Sequence, residues 1–104
     1  MVALRMTTPR LLVLGALLDD PDRERYGLDL AKQAGLEPGT IYPILVAFEG
    51  AGWLTSREES DAPGLDRPRR RYYALSSAGA DAARTALTRA ASRRTARTDR
   101  KLAW

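Results

Sequence analysis

The sequence predicts a small, mainly α-helical domain that carries a two-stranded β hairpin and is followed by a C-terminal helix. Three observations predict it. Ile41, Ile44, Leu45 and Phe48 recur at helical spacing behind a Glu37-Pro38 entrance. Two runs suited to strands, Trp53 to Glu59 and Arg69 to Leu75, flank the breaker-rich loop Ser60 to Pro68. Beyond Ser76, a helix N-cap residue, Ala80, Ala83, Leu87 and Ala90 form a seam of mostly small side chains. At 104 residues there is room for one such domain and one extra element.

The first element opens at Thr8-Pro9, a hydroxyl cap with proline at the first helical position. From Pro9 to Leu18 the helix is apolar all round, with Leu11, Leu14 and Leu18 among its residues. A domain this small covers one face, and a partner chain is expected on the other. The apolar run lies behind Arg5 and Arg10 like the core of a signal peptide. It is too short to span a bilayer, however, and runs straight into Asp19-Asp20-Pro21-Asp22 with no small-residue cleavage site, so a cytoplasmic protein is expected. Asp19 to Arg25 reads as a charged turn.

Tyr26 to Gly35 reads as a short helix, with Leu28, Ala31 and Leu30 as inward candidates and Gly35 as its stop. A helix from Pro38 to Ala51 follows three residues later. Two short helices joined by a tight, glycine-containing turn make a helix-turn-helix pattern. The second helix buries Ile41, Ile44, Leu45 and Phe48 and turns Thr40, Tyr42, Pro43, Val46, Ala47 and Glu49 outward. That outer face carries a single charge, near its end, and can approach another surface closely. Pro43 would collide with the Gly39 carbonyl and leave it without its N–H, at a cost of roughly 3 kcal/mol. Two starts therefore stay open: Pro38, with Gly39 bending out of the way, or Thr40, with Pro43 in the first turn. In either case Gly39, Thr40 and Tyr42 stand where a helix N-terminus meets a phosphate. Tyr42 has a second reading, as an aromatic at the edge of the core, and Trp53 reads as core.

On the Arg69–Leu75 strand, Arg69, Arg71, Tyr73 and Leu75 share one face, and Arg70, Tyr72 and Ala74 the other. A hairpin after a helix-turn-helix is a wing, so the fold class is a winged helix-turn-helix with a C-terminal helix. In that last helix the apolar seam ends near residue 91, and its spacing continues through Arg94, Arg97 and Lys101 toward Leu102 and Trp104.

The chain has neither cysteine nor histidine. Disulfides, thiolate chemistry, the usual zinc sites and imidazole acid–base catalysis are thereby excluded, and no cofactor is implied. No residue pair forms a recognisable nucleophile and base, so no enzyme is expected. The net charge of +4 is unevenly placed. Residues 1–77 hold 10 Lys/Arg against 11 Asp/Glu, whereas residues 78–104 hold 7 against 2. The basicity therefore belongs to the C-terminal segment.

The assembled elements resemble the PadR family of bacterial winged-helix transcriptional regulators. The resemblance rests on Tyr26-Gly27, Gly39-Thr40-Ile41-Tyr42-Pro43, Leu45 with Phe48-Glu49 and Gly52-Trp53-Leu54, Arg70-Arg71-Tyr72-Tyr73-Ala74-Leu75, and Ser76 with Gly79. It covers about residues 8–90. It implies a homodimer on a palindromic operator, usually a repressor, in which the C-terminal helix packs on the partner's N-terminal helix. It also implies release by a small, often aromatic effector near the dimer interface. The short tail matches the smaller members. The chain departs from the pattern at Val46-Ala47, where members often carry a basic residue or histidine, and in its short, alanine-rich C-terminal seam.

Double-stranded DNA is then the expected partner. Binding it requires cations at phosphates and contacts to base edges, and the Pro38–Ala51 helix has no Lys or Arg. Cations are expected from Arg67, Arg69, Arg70 and Arg71 on the wing and from Lys32. Gly39, Thr40, Tyr42, Pro43 and Val46 would face the groove, with Val46 or Ala47 against thymine methyls. The competing reading of the arginine run is a solvated strand face paired with Glu58, Glu59 and Asp66. Dimerisation is expected through Leu11, Leu14, Leu18, Ala83, Leu87 and Ala90. Residues 1–77 form the DNA-binding domain and residues 78–104 the dimerisation helix and basic tail. The alternative function is a winged-helix protein-interaction module that uses Tyr42, Pro43 and Val46 on a protein partner.

Overall fold

The computed structural model describes residues 4–60 and 69–102, with side chains described as far as residue 97. In chain order the elements are α1 (Thr8–Leu18), β1 (Arg25–Tyr26), α2 (Gly27–Ala34), α3 (Pro38–Gly50), β2 (Leu54–Glu58), β3 (Arg71–Leu75) and α4 (Ser77–Leu102). The fold is a winged helix-turn-helix with a long C-terminal helix. None of the described helices is long and apolar enough to cross a membrane.

The cap of α1 is Thr7 rather than Thr8. Its hydroxyl accepts from the Arg10 amide at 3.4 Å, and Thr8 and Pro9 form the first turn. Val13, Leu14, Ala16 and Leu17 are buried, Leu11 and Leu18 are half-buried, and Leu12 is exposed. Leu14 is therefore corrected as a dimerisation residue: it is completely enclosed by this chain and has no surface to offer a second copy.

The expected two-stranded hairpin is a three-stranded antiparallel sheet of order β1-β3-β2. Arg25 pairs with Tyr73 and Tyr26 with Tyr72. The chain enters α2 through an extended Tyr26 (φ −70°, ψ 138°), which is the cap of that helix and not part of it. Two residues in this conformation suffice to satisfy the otherwise open edge of β3.

The turn into α3 is closed by Gly35, whose φ of +72° suits glycine. Leu36 N–H donates to Ala31 O at 2.9 Å and Gly35 N–H to Lys32 O at 3.2 Å, a Schellman ending. Of the two possible starts, α3 takes the earlier, at Pro38. The amides of Thr40 and Ile41 both donate to Glu37 O, and Pro43 lies inside the helix. The expected stripe of Ile41, Ile44, Leu45 and Phe48 is the buried face of α3. Gly50 is its last residue, and the reversal falls at Gly52 (φ +80°), with Trp53 N–H bonded to Phe48 O at 2.9 Å.

The core joins this stripe to α1 and α2 through Val13, Leu14, Leu17 and Leu30, and closes with Leu54, Tyr73 and Ala83. Burying each large side chain contributes about 1.5–3 kcal/mol. Ala83 is fully buried inside the chain, so it too is corrected as a dimer contact. Leu87 and Ala90 are half-buried on α4, and residues 91–97 are exposed. Ser76 caps α4 as expected: its hydroxyl accepts from Gly79 N–H at 3.0 Å and donates to Gly52 O at 2.6 Å.

Arg25, read as part of a charged turn, is buried at 7 % exposure. Its guanidinium donates to Ala16 O, to Gln33 Oε1 at 2.7 Å and to Asp20 O at 3.5 Å, while Gln33 Nε2 reaches Asp19 Oδ2 at 2.7 Å. One cation thus ties the C-terminal carbonyls of α1 to β1 and α2, where the helix dipole favours positive charge. Arg25→Met, which keeps bulk but no donors, is expected to cost about 2 kcal/mol, the range for hydrogen bonds from a charged donor. Urea unfolding checks it, with a lowered midpoint and an unchanged slope.

Candidate nucleic-acid interface

Two elements form the candidate surface. The first is the outward face of α3, where Gly39, Thr40, Tyr42, Pro43, Val46 and Glu49 are exposed and Ala47 is half-buried. Val46, 71 % exposed, is the most exposed large apolar side chain among the described residues. The helical period puts these residues on the side opposite the core stripe, so the lack of Lys and Arg in α3 is a property of its free face. Lys32 is exposed on α2.

Tyr42 lies at the edge of the core, as one of its sequence readings had it, and is partly exposed on the outward face of α3. It is 37 % exposed, yet its ring packs on the start of α2. A Cβ built at Gly27 would stand 3.0 Å from the Tyr42 ring and 3.2 Å from its hydroxyl. Burial, and then the neighbouring Tyr26, push the Tyr42 phenol above its ordinary range, so it stays a neutral donor at physiological pH. Gly27→Ala is expected to push the ring off α2, cost about 1–3 kcal/mol by overpacking, and raise Tyr42 mobility. Thermal unfolding and the aromatic resonances of Tyr42 check it.

The second element is the wing. Ser56 pairs with Tyr73, Arg57 with Tyr72 and Glu58 with Arg71. Tyr73 points into the core, so Arg71, two residues before it, leaves the sheet on the side that packs against α3. Arg71 donates to Ser56 Oγ at 3.0 Å and lies 3.8 Å from Glu58. The Ser56 hydroxyl in turn donates to Glu49 on α3. Glu49, Ser56, Arg71 and Glu58 therefore form one chain of contacts from α3 to the wing. Tyr73 lies beneath it. Burial raises its phenol, Arg71 opposes that, and Glu49 and Tyr42 add to it.

Arg70 takes the opposite face, as the strand alternation requires. It is half-buried with its guanidinium 4.7 Å from the Tyr26 ring centroid, and so lies apart from Arg71. Arg69 is exposed. Arg67 lies outside the described residues. The arginine run thus divides: Arg71 flanks α3, and Arg70 braces the outer face of the sheet. The pairing of Arg71 with Glu58 agrees with the strand-face reading, and Asp66 also lies outside the described residues.

Sequence reasoning missed Arg57 and Glu24. Arg57 Nε and Nη2 bind the two Glu24 carboxylate oxygens at 2.7 and 2.8 Å, and its guanidinium lies 5.1 Å from the Tyr72 ring centroid. The hydrogen bond from Arg57, assisted by its charge, holds Glu24 below the usual carboxylate range. Alternation along β2 puts Arg57 on the Tyr72 face. No local pattern links it to a glutamate 33 residues earlier.

α4 lies along α1, and two grooves border it. One is lined by Leu11, Leu12, Leu87 and Ala90 with Arg93 and Arg97. The other is lined by Leu4, Met6, Trp53 and Ala86 with Arg89 and Arg93. Trp53 stacks on Phe48 at 5.3 Å, so the core tryptophan also forms part of a groove wall. Trp104 lies outside the described residues.

A helix-turn-helix followed by a wing and a long C-terminal helix is a winged-helix architecture. The model of the transcriptional regulator PadR-like family matches residues 13–85, and the chain belongs to that family. Solved structures share the fold. A PadR family transcription regulator from Clostridium difficile R20291 is 22% identical over 94% of this chain and 100% of its own, with a TM-score of 0.67. The smu.1704 protein of Streptococcus mutans UA159 is 19% identical over 94% and 92%, with a TM-score of 0.70. The PcaV transcriptional regulator of Streptomyces coelicolor is 24% identical over 88% and 62%, with a TM-score of 0.69. Among curated proteins nothing matches the chain.

Proposed function

We propose that this transcriptional regulator binds DNA as a homodimer on a palindromic operator and represses from it. The single observation that carries the reading is the combination of an exposed, uncharged α3 face with Arg71 beside it on the wing. Gly39, Thr40, Tyr42 and Pro43 sit where a groove would meet the start of the helix. The Val46 methyls suit the C5-methyl of thymine, and Thr40 and Tyr42 supply hydroxyls for phosphates and base edges. Affinity comes from Arg67, Arg69 and Arg71 on the wing, with Lys32, and from phosphates exchanged for the Arg71–Glu58 contact on binding. Arg70, stacked on Tyr26, acts through the shape of the wing.

Residues 1–77 read the operator and residues 78–104 join two copies, with Leu11, Leu18, Leu87 and Ala90 available at the α1–α4 surface. The protein acts in the cytoplasm and needs no catalytic group. A small aromatic effector would fit the groove with Trp53 in its wall. Structural neighbours support regulation of this kind: PcaV has been solved with its natural ligand, and DNA binding by BpsR of Bordetella bronchiseptica is regulated by 6-hydroxynicotinic acid.

The exposed Val46 also fits the rival reading, a protein-interaction module. A gel-shift titration against the DNA upstream of the chain's own gene, beside a shuffled duplex of equal length, separates the two. The regulator prefers its own upstream DNA by at least about 10³, the low end for specific binders. Equal weak binding to both duplexes would overturn the reading.

A further inference from the structure

We infer that Ser56 is a positioning residue for DNA binding: its hydroxyl, anchored on Glu49 of α3, aims the Arg71 guanidinium at a phosphate beside that helix. The inference rests on the proposed phosphate contact of Arg71 and names what holds that arginine in place.

The first observation is a lean within the sheet. In the antiparallel register Glu58 stands directly opposite Arg71, and Ser56 stands opposite Tyr73, two residues further along β3. All four side chains share the face turned toward α3. Register alone would lay the guanidinium on the carboxylate facing it. Instead Arg71 Nη1 donates to the diagonal Ser56 hydroxyl at 3.0 Å, while the approach to Glu58 is looser, at 3.8 Å. The cation leans toward α3, onto a neutral hydroxyl, and away from the acid opposite.

The second observation is the polarity of that hydroxyl. Serine offers one O–H and two lone pairs, whereas a carboxylate only accepts and a guanidinium only donates. Glu49, the only charged residue of α3, takes the Ser56 proton, so the oxygen is left to accept from Arg71. The series Glu49, Ser56, Arg71 therefore runs in one sense, from the last turn of α3 to the wing. Glu49 and Arg71 are exposed, and the half-buried Ser56 joins them. It also keeps the two charges one hydroxyl apart, so that Glu49 steadies the arginine without neutralising it. The bond to Ser56 is the one hydrogen bond of this guanidinium among the described residues, which leaves its other N–H groups for a phosphate. Immobilising a long side chain on binding lowers affinity by about two- to tenfold. With Ser56 in place that ordering precedes the encounter with DNA. Without the hydroxyl, Arg71 is left to Glu58 beside it and Glu49 beyond.

Salt-dependent titration of the full chain against the duplex upstream of its own gene tests this. Ser56→Ala keeps the helical circular dichroism and weakens binding by about two- to tenfold for each wing in contact. It leaves the slope of log K against log salt in place, because Arg71 still reaches its phosphate. Ser56→Thr, which keeps the hydroxyl, restores wild-type affinity. Arg71→Ala flattens the slope by about 0.9 per wing, and in that background Ser56→Ala costs nothing further. Wild-type affinity in Ser56→Ala, or an equal loss from it with and without Arg71, would overturn the positioning role while the wing contact stands. An unchanged slope in Arg71→Ala would instead remove Arg71 from the interface, and this inference with it.

Discussion

Gly79→Ala is expected to lower stability by about 3 kcal/mol or more, the upper range for forced overpacking. A methyl at position 79 would lie 1.9 Å from the Trp53 carbonyl oxygen and 2.9 Å from its Cα. Both obstacles are backbone, so no side-chain rotation relieves the clash. The start of α4 must lift away, and with it go the Ser76 N–H bond to Trp53 O at 3.0 Å and the Ser76 hydroxyl bond to Gly52 O. For a domain of about 100 residues, 1 kcal/mol shifts Tm by roughly 4–8 °C, so a fall of about 12 °C or more is expected in a thermal melt. Gly50→Ala is the control: its added methyl meets nothing within 4 Å, and it should be neutral or stabilising by up to about 1 kcal/mol. Equal melting temperatures for the two variants would mean that α4 does not seat on Trp53.

The second large effect concerns DNA. Each phosphate contact contributes about −0.9 to the slope of log K against log salt, and the proposed homodimer would carry the wing twice. Removing Arg69 and Arg71 together, by Arg69→Ala with Arg71→Ala, deletes up to four contacts. The slope should flatten by about 3.6, and affinity near 0.1 M salt should fall by on the order of 10³ for specific and random duplexes alike. Val46→Ala should instead leave the slope alone and change the preferred operator. A salt slope unchanged in the double variant would remove the wing from the interface.

The contrast between these experiments mirrors what could be read from the residues in advance. The stripe Ile41, Ile44, Leu45 and Phe48, the Gly35 stop, the Ser76 cap and the two wing strands were legible because each depends on spacing or on a single residue's geometry. β1 was not, since two residues cannot display a period, and their partners lie 46 and 48 positions away. Leu14 was misassigned outward because a helix apolar on all sides does not reveal which side its own chain covers, and Ala83 because a seam of small residues does not reveal whether its own chain or a partner meets it. Arg25 read as part of a charged turn, and only the approach of α1 to α2 makes it, with Gln33, a clamp. Arg57 and Glu24 are joined across the sheet, a relation visible in the register and absent from the local pattern. Arg70 and Arg71 divided as strand alternation required, while their different partners had to be seen.

In the free protein, Arg71 stands beside Glu58, and residues 1–77 as a whole carry slightly more acid than base. That leaves the winged domain with little net positive charge, and the chain's attraction for polyanions at large, which grows with unneutralised positive charge, rests mainly on the arginine-rich residues 78–104.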